Sequence, residues 1–364
     1  MNFSHYSVFL DADPGRPIAW SIAIIGLPLN IFTICFMLWE SSCSRCCQSK
    51  RQPSNTAHIL KSPSLWLLFN LFISDLFGST YILILSISDV YYTNYYQAIH
   101  GMNTTYSRIK NVWFTSSACI VAQIMGRVSI LMAATLTLFM AIDRLILIVY
   151  PHSKKKFTMK ISRILAVIGW ICSLAFVIGI TILHRYRIHF KSPYTFEFYL
   201  NLCLGDFGST VLIRILSFVE LACLLIIYVT ITVIYIIIIW RLRKSRLEFN
   251  SRSSSVCEKR FQIMFILIAF TNVFAFFFIS ITSFASTNYN TNHTLFRKLI
   301  SLIPFTNPVI DPILYLIFRH DDIRKQINCG CFTNRKNTTI VPASQAQDSK
   351  SSHLERIVLT EIQK

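Results

Sequence analysis

The sequence predicts an all-α membrane protein: a seven-transmembrane helix bundle with its N-terminus outside and a short amphipathic eighth helix. Three observations predict it. Of 364 residues, 53% are hydrophobic and only 14% are charged, whereas an ordinary soluble domain carries about 25% charged residues. Seven apolar stretches stand out, each near the roughly 20 residues that a helix needs to cross the hydrocarbon. The net charge of +18 is concentrated between alternate stretches. A water-soluble enzyme, a disordered chain and collagen are excluded by the same figures. Helices are the required conformation, because open strands leave unpaired backbone groups in lipid and the alternation of a barrel is absent.

The stretches are residues 18–39, 64–88, 118–150, 161–183, 210–240, 261–286 and 299–318. The first, fourth and sixth are plain from hydropathy, and no Lys, Arg, Asp or Glu falls between Arg260 and Arg297. The second carries Asp75; the third Arg127, Asp143 and Arg144; the fifth Arg214 and Glu220; the seventh Asp311. The domain plan is then an extracellular N-terminus (1–17), a seven-transmembrane domain (18–318), an amphipathic helix with a palmitoylation region (319–332) and a disordered cytoplasmic tail (333–364). The last is polar and bears many Ser and Thr. Residues 1–17 lack the basic start and apolar core of a cleavable signal peptide, so the first helix serves as its own membrane signal.

Orientation follows from the basic residues. With the N-terminus outside, 25 of the 35 Lys and Arg fall on the cytoplasmic side and 8 on the external side, Arg127 and Arg214 being inside helices. The positive charge is therefore topological, and a nucleic-acid partner loses its main support. The glycosylation sequons at Asn2, Asn103 and Asn292 fall outside. Among eleven cysteines, Cys119 and Cys203 are the two in the oxidising compartment, so they are the pair expected to bridge. Cys43, Cys46 and Cys47 lack a fourth ligand for a metal. Cys329 and Cys331 follow the amphipathic segment 318–327 and lie near enough to the membrane for acylation.

An ionised group near the bilayer centre costs at least about 2.5–3.5 kcal/mol on insertion scales, so Asp75, Arg127, Asp143, Arg144, Glu220 and Asp311 should face the bundle interior. Snorkelling serves Arg214 but not Asp75. The third stretch ends Ala141-Ile142-Asp143-Arg144-Leu145, with Pro151 after it, and Cys119 stands 25 residues before Arg144. The second contains Asn70-Leu71-Phe72-Ile73-Ser74-Asp75-Leu76, and the seventh Asn307-Pro308-Val309-Ile310-Asp311-Pro312-Ile313-Leu314-Tyr315. Together with Gly26, Asn30, Trp113 and Trp170, these segments resemble the rhodopsin-like (class A) G-protein-coupled receptors over about residues 18–331, in a divergent form similar to invertebrate chemosensory or peptide receptors. Leu145 replaces the usual Tyr, the fifth stretch has no Pro, and the sixth runs Phe274-Ala275-Phe276-Phe277-Phe278 where the family has Cys-Trp-x-Pro.

The resemblance implies a plasma-membrane receptor, not an enzyme, that binds an extracellular ligand and activates a heterotrimeric G protein by outward movement of its cytoplasmic helix ends. Arrestin and receptor kinases would be further partners, and membrane lipids its surroundings. Asp143, Arg144 and Tyr315 would form the coupling switch, with Arg144 paired to Asp143 at rest. Asn30, Asp75, Ser129, Asn307 and Asp311 resemble the polar cluster that can hold a sodium ion, a water-filled network being the other reading; no other cofactor and no metal is implied. Ligand-pocket candidates are Arg127, Glu220 and Phe276. Arg127 either receives a ligand's carboxylate or phosphate or pairs with Glu220 across the bundle, and the Phe-rich sixth helix either lines the pocket or faces lipid. Gly126 stands where amine receptors have an acid and Phe305 where opsins have a lysine, so amines and retinal are disfavoured. A transporter or ligand-gated channel is the alternative, although no repeat symmetry or broken midplane helix supports it.

Overall fold

The computed structural model describes residues 15–47, 62–99, 113, 116–149, 157–188, 203, 211–248, 256–285 and 302–328. They form α1 (Gly15–Cys47), α2 (Pro63–Ile99), α3 (Ser117–Val149), α4 (Met159–Ile188), α5 (Val211–Glu248), α6 (Val256–Ala285), a short 3-10 turn (Ile303–Thr306) and α7 (Asn307–Asn328). No strand occurs among the described residues. Six of these helices are long and apolar enough to cross a membrane. Residues up to Phe318 make up one unit and those from Arg319 a second.

Ile- and Val-rich runs form helix here because the backbone has no other partner in lipid. Many hydroxyls within the spans are satisfied on their own helix. Thr33, Ser86, Thr135, Thr137 and Thr181 each donate to the carbonyl four residues earlier, at 2.7–2.9 Å. The helices outrun the apolar stretches at several ends. α5 continues past Trp240 to Glu248 through Arg-, Lys- and Leu-rich sequence with good helix propensity, and α2 starts on Pro63, whose missing N–H costs nothing at the first position.

The seventh stretch requires a correction. Residues 299–318 were expected as one helix, but Ile303–Thr306 is a 3-10 turn and α-helix begins at Asn307. Pro304 and Pro308 are the cause: each lacks a donor, and a proline ring clashes with the carbonyl four residues before it. Helical structure is then assigned without interruption from Asn307 to Asn328.

α3 is the central element, packed on α2, α4, α5 and α6 and buried along its whole length from Cys119 to Arg144. Lipid-facing stripes show helical spacing instead: Ile164, Val167, Ile168 and Ile171 on α4, and Phe270, Phe274 and Phe277 on α6, are all exposed. Of the Phe-rich run, Phe276 turns inward while Phe274 and Phe277 face outward. One core joins α1, α2 and the top of α3 through Ala19, Ile22, Tyr81, Leu85, Trp113 and Phe305; another joins α3, α5 and α6 through Ala134, Leu224, Tyr228, Ile231 and Phe276.

Gly126 is a point of close approach to the first core. A Cβ there would lie 3.0–3.1 Å from three atoms of the Tyr81 ring, and that ring is itself backed by Phe305 at 4.6 Å between centroids. Gly126→Val should therefore lower stability by about 1–3 kcal/mol through overpacking, measured as thermal inactivation in detergent. Combining it with Tyr81→Leu should recover part of the loss; a double variant no better than the sum of the singles would show that the ring is not the obstacle.

Candidate functional site

Near the Lys- and Arg-rich end, α3 presents Asp143 and Arg144 to opposite neighbours. Asp143 accepts a hydrogen bond from the Ser64 hydroxyl of α2. Its Oδ2 lies 4.0 Å from Arg144 Nε, the outer limit of an ion pair, so Ser64 is the nearer partner of the carboxylate. The Arg144 guanidinium sits over the Phe265 ring of α6, 4.2 Å from its centroid, and the Tyr235 hydroxyl of α5 donates to the Phe265 carbonyl at 3.3 Å. Tyr315 is fully buried on α7 and meets Phe72 edge-on at 5.4 Å.

Halfway along the bundle, polar side chains that hydropathy could not pair find one another. Both Asp311 oxygens are taken by α6: Thr271 Oγ1 donates at 3.2 Å and Asn272 Nδ2 at 3.2 Å. Asn272 Oδ1 in turn accepts from Asn307 Nδ2 at 3.1 Å. Asn30 Nδ2 donates to the Pro308 carbonyl at 2.6 Å and to Gly26 at 2.8 Å, tying α1 to α7. Ser74 Oγ donates to the Ser129 carbonyl at 2.9 Å, tying α2 to α3.

Beside this network lies a cavity of about 20 Å³ whose lining includes Asp75, Ser129, Asn272, Asn307 and Pro308. That is room for about one water-sized occupant. Asp75 Oδ2 and Ser79 Oγ are buried with no hydrogen-bond partner among the described residues. An orphaned carboxylate oxygen beside hydroxyl and amide oxygens suits a small hard cation or a water. Of the five residues expected in this cluster, Asp75, Ser129 and Asn307 line the cavity, whereas Asn30 and Asp311 are engaged in the adjoining helix-to-helix bonds.

In the outer half, toward Cys119, the Arg127 guanidinium of α3 pairs with Glu220 of α5 at 3.3 Å, with the side chains 6% and 15% exposed. Phe276 stacks on Tyr228 at 4.4 Å. Cys119 and Cys203 are disulfide-bonded, pinning residue 203 to the top of α3. Arg16 on α1 donates to Asp89 at 2.7 Å and to Thr93 at 3.2 Å on α2. Asn2, Asn103, Asn292, Cys329 and Cys331, and the side chain of Arg214, lie outside the described residues.

Sequence reasoning did not find Ser64, Phe265, Thr271, Asn272 or the Arg16–Asp89 pair. Asn272 carried a usable signal, since an amide within an apolar span needs an internal partner as much as an acid does. Asp89 fell one residue beyond the expected end of the second stretch and was read as loop. Phe265 gave none, being one of many phenylalanines.

The Arg127–Glu220 pair yields a prediction. Removing Glu220 alone takes this carboxylate from a buried guanidinium and should cost about 3–5 kcal/mol, whereas removing both partners should cost less. Thermal inactivation of Glu220→Ala against the Arg127→Ala, Glu220→Ala double variant measures the difference; a double variant less stable than the single would refute the pairing as the main restraint.

The family model described as 7 transmembrane receptor (rhodopsin family) matches residues 54–315, from before the start of α2 to Tyr315. Compared with the curated proteins, the chain has no match. The matched span takes in the Ser64–Asp143 and Arg144–Phe265 contacts, the disulfide and the Asp75–Asp311 region. A multi-pass helical membrane protein with this arrangement and this match belongs to the rhodopsin family of seven-transmembrane receptors.

Proposed function

We propose that the protein is a plasma-membrane receptor, N-terminus outside, that binds an extracellular ligand and promotes nucleotide exchange on a heterotrimeric G protein by outward movement of its cytoplasmic helix ends. What carries this reading is the position of Arg144: a guanidinium on the central helix, at the basic end, lying between the Asp143 carboxylate and an aromatic ring of α6. A guanidinium in that place serves a partner only if α6 withdraws. A ligand drives such a change by binding one packing better than the other. Arrestin and receptor kinases are proposed as later partners through the cytoplasmic tail.

The cavity beside Asp75 is proposed as a sodium site that biases the same equilibrium. The orphaned Asp75 oxygen supports an ion there, with Ser129, Asn272 and Asn307 contributing polar atoms. In the outer half the Arg127 charge is balanced by Glu220, so the internal pair is the better-supported role for Arg127 and a ligand reaching it has to compete with that carboxylate. The proposed pocket is bounded by Arg127, Glu220, Tyr228 and Phe276. An amine anchor in place of Gly126 is disfavoured sterically as well as chemically, because Tyr81 fills its space.

The experiment is expression with promiscuous G proteins and a screen of peptides, lipids and small acids. Arg144→Ala should abolish the response while leaving surface expression intact; an undiminished response would defeat the assignment. Ligand-evoked current in cells lacking G proteins would instead favour a channel. For the ion, raising sodium should weaken agonist affinity in the natural chain and not in Asp75→Ala. Sodium-independent affinity in both would leave water as the occupant.

A further inference from the structure

We propose that Phe265 is a positioning residue for the coupling switch: its ring holds the Arg144 guanidinium against α6 through a cation–π contact, and this contact keeps the inner end of the bundle closed. The proposal deepens the receptor reading given above and rests on it. Three observations converge on one residue. The guanidinium carbon of Arg144 lies 4.2 Å from the ring centroid, well within the roughly 6 Å reach of such contacts. The Asp143 carboxylate, the obvious partner, is 4.0 Å from Arg144 Nε and accepts from Ser64, so it faces α2 more than it restrains the arginine. The backbone of Phe265 also accepts from Tyr235 at 3.3 Å, which fixes the ring's place relative to α5. Side chain and carbonyl of a single residue thus join α6 to both α3 and α5.

Burial makes the contact matter. Phe265 is 1% exposed and Arg144 9%, and a cation–π contact strengthens when both groups leave water. The ring is also the element that gives the contact direction: Asp143 is on the same helix as Arg144 and cannot tie it to another, whereas Phe265 is on α6. Closure of the inner end therefore depends on a neutral aromatic face, which has no proton to lose and whose hold is set by ring electron density.

That last property supplies the test. The full chain in lipid nanodiscs is prepared with the natural residue, with Phe265→Leu, and with Phe265 replaced by mono-, di- and trifluorinated phenylalanine, which drains the π face at nearly constant shape. Hydrogen exchange of amides in the inner third of α6 is followed, with basal nucleotide exchange on added G protein measured in parallel. Exchange should rise about tenfold in Phe265→Leu and climb in steps along the fluorine series. In an Arg144→Ala background the series should be flat. A flat series beside an active Phe265→Leu would reduce Phe265 to packing and overturn the proposal, as would a graded series that persists without Arg144. A graded series in helix exchange with no nucleotide exchange in any variant would sustain the contact while removing the G-protein reading; nucleotide exchange with a flat series would do the reverse.

Discussion

In hydrocarbon, a polar side chain has to find its partner inside the protein, and the arrangement of this bundle depends on that constraint. Apolar contacts alone set little, because lipid tails are as apolar as leucine and a helix gains little by exchanging one for the other. The spans meet the constraint in two ways. Many hydroxyls turn back to their own helix, as Thr33 and Thr181 do, and those leave helix position unspecified. Amides and charges have more polar atoms than one local carbonyl can satisfy, and they also reach across: Asn30 to Pro308, Trp170 to Asn70, Asn272 to Asp311, Arg127 to Glu220, Ser64 to Asp143. Each such bond fixes the register of one helix against another, joining α1, α6 and α7 in one set and α2, α3, α4 and α5 in a second.

These links divide the molecule unevenly. Around α1, α2 and the 3-10 turn the outer half is filled by Tyr81, Phe305, Trp113 and their neighbours, with Gly126 giving up its side chain to admit the tyrosine ring. Around α3, α5 and α6 the outer half holds an ion pair and a stacked aromatic pair instead. Glycine at position 126 therefore carries no acid, and the space a side chain would take there is filled by the Tyr81 ring.

Much of this was legible from the sequence because the hydrophobic signal is long and the charge bias is strong. Six spans and the central placement of Arg127, Asp143 and Arg144 follow from hydropathy and the cost of a charge in lipid. What stayed hidden has identifiable causes. Helix ends beyond the lipid, as in α5 to Glu248, carry no hydropathy signal. The 3-10 turn at Ile303–Thr306 lies in a mostly apolar stretch, and its prolines are the local signal that marks it. Pairings such as Ser64 with Asp143 are separated by 79 residues, and nothing in the local pattern of either partner specifies the other.

The sixth helix shows how a departure from the family pattern is absorbed. No proline interrupts α6, so it has no ready kink. Its inward contacts fall at Phe265, Asn272 and Phe276, a seven- and four-residue spacing that puts them on one stripe. Along about 16 Å of helix, that stripe meets Arg144 of α3, Asp311 and Asn307 of α7, and Tyr228 of α5. A kinked helix can move its inner end while its outer end stays. A straight one transmits displacement along its axis, so a shift of Phe276 against Tyr228 bears on the Asn272 bonds and on the ring beneath Arg144. The polar bonds to α7 are the directional contacts at the mid-length of α6, and aromatic contacts flank them on the same stripe. A helix without a proline thus meets its neighbours through hydrogen bonds at its middle and through rings on either side.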